Sequence, residues 1–87
     1  MRKIIFTDHA LIQMLRRGIS KKEVRGIIQN PGQTDEIRPG RVVMQSRIIA
    51  RDRESEILIR VFADVSENSI EVVTAYRTSS IEKYWRL

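Results

Sequence analysis

The sequence has no cysteine. That excludes a disulfide framework, a thiol nucleophile and a cysteine zinc site, and it fits a reducing compartment. Histidine occurs once, as His9, which makes a histidine-based zinc site implausible. Glycines are few and scattered, so no Gly-rich loop is present to cradle phosphates. No stretch approaches the ~18 apolar residues of a transmembrane helix. Asp8 and His9 break the first apolar run too early for a signal peptide. The expectation is a cytoplasmic protein with no membrane association, no cofactor and no metal. Acidic residues are also in deficit: 11 Asp and Glu stand against 16 Lys and Arg, a net charge of +5.

That excess is unevenly spread. Residues 1–30 carry seven basic residues against Asp8 and Glu23, whereas residues 31–69 are close to balanced. A basic N-terminal third suggests an acidic partner, either nucleic acid or an acidic protein; the alternative is a merely soluble basic protein. At 87 residues the chain is one domain, residues 1–87, with a modest core.

Along the chain, Lys3–Phe6 reads as a short strand. Thr7 caps a helix that runs to about Arg17 and stops at Gly18. At ~100° per residue, Ala10, Leu11, Met14 and Leu15 share its apolar face, and His9, Gln13, Arg16 and Arg17 the other. Ser20-Lys21-Lys22-Glu23 is a capping box opening a second helix, with Val24, Ile27 and Ile28 as its stripe. Asn30-Pro31-Gly32 ends it.

From Gln33 the period changes to two. Gln33–Ile37 is a candidate strand, and Pro39-Gly40 a turn. In Arg41–Ala50 the even positions Val42, Met44, Ile48 and Ala50 are apolar. In Glu56–Val65 the odd positions from Ile57 to Val65 are apolar. Arg51–Ser55 is a charged loop between them. Ile70–Tyr76 is the last strand, followed by a short helix or tail with Ile81, Tyr84 and Trp85 at helical spacing. The expected architecture is α+β: two N-terminal helices packed on one face of a twisted antiparallel sheet, in the order β-α-α-β-β-β with a short C-terminal helix. The second sheet face would stay open and carry Gln45, Arg47, Leu58, Arg60 and Phe62. Symmetric pairing of the central hairpin would bring Arg47 and Arg60 close together there.

The combination of Phe6-Thr7-Asp8-His9-Ala10, Arg17-Gly18-Ile19-Ser20, Asn30-Pro31, Val73–Ser79 and Ile81-Glu82-Lys83-Tyr84-Trp85 resembles a family of small prokaryotic proteins classed as a domain of unknown function. The arrangement is also similar to the BrnT-like and RelE/ParE-like toxins of toxin–antitoxin pairs. The resemblance implies their fold, RNA as a possible target and an antitoxin-like protein as a possible partner covering the basic surface. The chain departs from the family at Ser80, where lysine is usual, so that cation is missing.

Metal-independent RNA cleavage needs a base, an acid and cations for the developing phosphorane charge. His9, in the first turn of a helix, is a candidate base or else a helix-capping residue. Arg47, Arg60 and Arg77 are the best phosphate ligands, because guanidinium matches phosphate bidentately. Arg60 is the sharpest, lying in an otherwise apolar strand; the alternative is an ion pair with Asp64, Glu56 or Glu71. Lys83 and Tyr84 are candidates for a general acid or a base-stacking site, or else Ile81, Tyr84 and Trp85 pack on the sheet with Lys83 solvated. Arg16, Arg17, Lys21, Lys22 and Arg25 would track phosphates, or form an ordinary solvated helix face. The expected catalytic set is therefore His9, Arg60, Arg77 and Tyr84. The expected RNA-binding set is Arg16, Arg17, Lys21, Lys22, Arg25, Arg47 and Lys83. The other reading is a non-enzymatic module of the same fold that binds protein or nucleic acid.

Overall fold

The computed structural model describes residues 2–50 and 52–87; Met1, and Arg51 of the expected charged loop, lie outside them. The elements are β1 (Lys3–Phe6), α1 (Asp8–Arg17), α2 (Lys21–Gln29), β2 (Gln33–Arg38), β3 (Arg41–Ile49), β4 (Glu56–Val65), β5 (Ser69–Thr78) and α3 (Ile81–Tyr84). The fold is α+β, with a five-stranded sheet in the order β1-β5-β4-β3-β2. No helix among the described residues is long and apolar enough to cross a membrane.

The helix boundaries are set by local chemistry. Thr7 accepts a hydrogen bond from the Ala10 amide, and Ser20 and Glu23 form a reciprocal capping box. Gly18 adopts φ 66° and closes α1 with amide bonds from Gly18 and Ile19 back to the Leu15 and Met14 carbonyls. That geometry is a Schellman motif, which favours a residue without a Cβ.

The sheet is mixed, not wholly antiparallel. β2 to β5 form an antiparallel meander, but β1 pairs parallel to β5 at the edge. A parallel neighbour needs a long connection, and the whole of α1 to β4 lies between these two strands. The core lies between the helices and one sheet face. Ala10, Met14, Val24 and Ile27 meet Met44, Ile59, Val61, Ala63, Val72 and Ala75 there. The alternation in β3 and β4 therefore assigns the helix-facing side as expected.

Three expectations are corrected. Leu15 is 84% exposed and does not belong to the core. Helix α1 lies over β5, near the sheet edge, and buries only the narrow stripe of Ala10 and Met14. The second sheet face is only partly open: Leu58 is 0% exposed and Gln45 1%, with Gln45 bonded to the Tyr84 carbonyl of the returning C-terminal segment, whereas Arg60 and Phe62 are half-buried and Arg47 exposed. Arg47 and Arg60 are not opposite one another. Arg60 pairs with Gln45 and Arg47 with Leu58, a register that leaves the two arginines diagonal.

A bulge at β5 positions everything that follows. Val72 pairs with Ala63 and Thr74 with Phe62, leaving Val73 as an extra residue. Val72 and Ala75 are therefore both core residues although three apart, and Tyr76 faces away from the helices while Arg77 faces toward them.

Candidate functional site

On the face away from the helices, adjacent strands place Gln45 (β3), Arg60 (β4) and Tyr76 (β5) in one row. The row is polar inside an otherwise packed layer, so its groups must satisfy one another. They do. Arg60 donates from Nη1 to the Tyr76 hydroxyl at 2.6 Å and from Nε to the Gln45 side-chain oxygen at 3.0 Å. Gln45 donates from Nε2 to Gln33 at 2.8 Å and to the Tyr84 carbonyl at 3.1 Å. Because the arginine can only donate, these partners also fix which way the Gln45 amide points.

The same cluster is lined with rings. The Arg60 guanidinium carbon lies 4.1 Å from the Tyr84 ring centroid and 5.3 Å from that of Phe62. Phe62 and Tyr76 are stacked, and Tyr84 meets Tyr76 edge-on. Among the described residues no carboxylate pairs with Arg60; the alternative of an ion pair with Asp64, Glu56 or Glu71 is not what the structure shows. Asp64 is taken by Arg41 and Glu56 by Arg47. Arg60 is therefore a half-buried cation held by neutral groups and aromatic faces.

The C-terminal segment is clasped over this network. The Gln33 side chain pairs with both backbone groups of Arg86, donating to its carbonyl at 2.6 Å and accepting from its amide at 3.1 Å. The Arg86 guanidinium in turn pairs with Asp35. Trp85 packs beside Gly32, where a Cβ would lie 2.8 Å from the indole Cη2. Arg47, in a two-bond pair with Glu56, lies 5.5 Å from the Trp85 ring. A groove of about 850 Å³ runs between Arg47, Lys83 and Trp85.

Proton affinities respond to this packing. Burial raises the Tyr76 phenol above its ordinary value, although Arg60 opposes that. The Tyr84 phenol is drawn below its ordinary value, chiefly by the Tyr76 hydroxyl and then by Lys83.

The expected catalytic residues do not converge. Arg60 and Tyr84 are in contact, but Arg77 lies on the helix side of the sheet, near Gly18 and beside a groove shared with Glu23 and Ile57. His9 is exposed at the start of α1, also on the helix side. The expected RNA-binding residues likewise divide. Arg47 and Lys83 flank the Arg60 cluster. Lys21 and Arg25 sit over the Phe6 ring on the helix side, Lys22 borders a groove beside Ile27, and Arg16 is exposed on α1. Arg17 instead ties α1 to the sheet, because its Nη1 donates to the Ala75 carbonyl at 2.9 Å.

Sequence reasoning marks Tyr76-Arg77-Thr78 as the suggestive part of the last strand but does not single out Gln33, Gln45 or Trp85 as site residues. The available signal is Gln45, a polar residue within an apolar strand; Gln33 and Trp85 depend on the C-terminal segment folding back, and the direction of Tyr76 on the bulge at Val73. Among the described residues, no group of three or more His, Asp or Glu is placed to hold a metal ion.

A family model described as a domain of unknown function (DUF4258) matches residues 6–77, from the end of β1 to β5. The match ends before α3, so Tyr84 and Trp85 lie outside it. Comparison with curated proteins and with solved structures gives no match.

Proposed function

The chain belongs to the DUF4258 family, and on that premise we propose that it binds RNA through the surface beside α3, as a small toxin-type protein of a toxin–antitoxin pair. The observation that carries this reading is Arg60: a half-buried guanidinium without a carboxylate partner among the described residues, ringed by Phe62, Tyr76 and Tyr84 and flanked by Arg47 and Lys83. Cations interleaved with aromatic rings suit a nucleic-acid strand, whose phosphates need positive charge and whose bases need π-faces. An antitoxin-like partner would be an acidic protein competing for the same surface.

Binding of a labelled mixed-sequence RNA, followed by anisotropy at several salt concentrations, tests the proposal. Affinity is expected to fall as salt rises, and the double variant Arg47→Ala/Lys83→Ala to flatten the salt slope by about 1–2. No binding, or binding indifferent to salt, would overturn it.

A second reading, RNA cleavage, is favoured by one observation: the Tyr84 ring lies 4.1 Å from the Arg60 guanidinium carbon, in surroundings that draw its phenol below the ordinary value. In it Tyr84, in the fraction that is ionised, takes the proton of a 2′-hydroxyl as the 2′-oxygen bonds to phosphorus. The bond from phosphorus to the 5′-oxygen breaks, and that oxygen takes its proton from water. Arg60 balances the phosphorane charge. Cleavage of an RNA pool by the wild-type chain, lost in Tyr84→Phe while binding persists, is the expected result; cleavage unchanged in Tyr84→Phe excludes this role.

A further inference from the structure

The groove beside Trp85 carries the reading further, to the kind of RNA. Trp85 is the only tryptophan. It is half-buried, fixed on one side at Gly32 and lining the groove on another. Lys83 borders the groove with positive charge, Arg47 adds a guanidinium that a phosphate would share with Glu56, and Ile81 and a fully exposed Leu87 give it apolar walls. An exposed leucine beside an indole and two cations is a surface that attracts both apolar rings and phosphates. A volume of about 850 Å³ has room for a nucleotide.

Resting on the proposed RNA binding, we infer that the RNA is single-stranded and that this groove holds an unpaired base stacked against Trp85, with its phosphates on Arg47 and Lys83. A base inside a duplex has both faces covered by its neighbours and its pairing edge occupied. It has no free face to lay on an indole in a concave groove. An unpaired nucleotide has both a free face and a flexible backbone. Glu82 also lines the groove; its charge repels phosphate, so the backbone runs on the Arg47 and Lys83 side.

Because Trp85 is the sole tryptophan, its emission reports the site directly. The full chain is titrated with a 12-nucleotide single-stranded RNA of mixed sequence and with the same sequence as a blunt duplex. The single strand is expected to quench Trp85 emission and to bind about tenfold or more tighter than the duplex at equal salt. Trp85→Leu, shown by circular dichroism to be folded, should weaken single-strand binding by about tenfold, and Trp85→Phe should restore most of it, since one stacked base typically contributes that much. Single-strand binding without quenching, or equal affinity for the duplex, overturns the inference while leaving RNA binding intact. Binding of neither form overturns both.

Discussion

The Arg60 guanidinium carbon lies 4.1 Å from the Tyr84 ring centroid, and the Gln45 side chain that holds Arg60 Nε also holds the Tyr84 carbonyl. Sheet, cation and C-terminal segment are thus one interlocked unit. Removing any member leaves another without a partner.

Gln45→Leu strips a partner from Arg60 Nε, from Gln33 and from the Tyr84 carbonyl. It is expected to destabilise the fold by about 2–4 kcal/mol in urea titration, since orphaned buried polar groups are expensive. Arg60→Leu in the same background should add less than it does alone, with a coupling of about 0.5–3 kcal/mol. Strict additivity would show that the two residues do not act together.

Gly32 leaves space for the clasp. A methyl there would meet Trp85 Cη2 at 2.8 Å and the Gln45 carbonyl at 3.1 Å. Gly32→Ala should therefore cost about 1–3 kcal/mol, as overpacking does, and shift Trp85 emission to the red. An unchanged spectrum would mean that the indole is not seated at Gly32.

Stability should fall in acid for identifiable reasons. Asp52 lies below its ordinary 3.8 because the Glu54 and Ser55 amides and the Ser55 hydroxyl bond it. Asp64 is lowered by its bond with Arg41. Both folded-state values lie below the unfolded ones, so their stabilisation is complete above the ordinary carboxylate range and is lost as pH falls through the lowered values. The denaturation midpoint should decline between about pH 5 and pH 2, and less steeply in Asp64→Asn. A flat profile across that range would contradict both assignments.

Met14 and Leu15 are adjacent on α1 yet differ in exposure, 2% against 84%. Met14→Ala should cost about 2–5 kcal/mol, and Leu15→Ala should stay within about 0.5 kcal/mol. Comparable losses would mean that α1 is rotated from the position described.

The reach of sequence reasoning follows from the range of the forces involved. Thr7, Ser20 and Glu23 hold amides three residues away, and the Gly18 turn holds carbonyls three to five residues back, so both N-terminal helices are legible. Alternation in β3 and β4 is a local pattern whose buried half must meet a core, so the helix-facing residues are legible as well. Leu15 escapes such reasoning because periodicity describes a stripe without saying how wide a surface will cover it. The diagonal of Arg47 and Arg60 depends on a register that symmetry about the loop does not supply.

By itself, the sequence determined an α+β domain, its caps, its core alternation and a chain rich in cations without cysteine. The tertiary structure alone decided which of those cations share a surface. The extra residue at Val73 turns Tyr76 toward Arg60 and Arg77 toward the helices, and the returning C-terminal segment brings Tyr84 and Trp85 onto β3 and β4. A one-residue bulge reverses every later side chain in its strand, and contacts across 39 residues, such as Gln45 with Tyr84, have no local signature for a sequence to display.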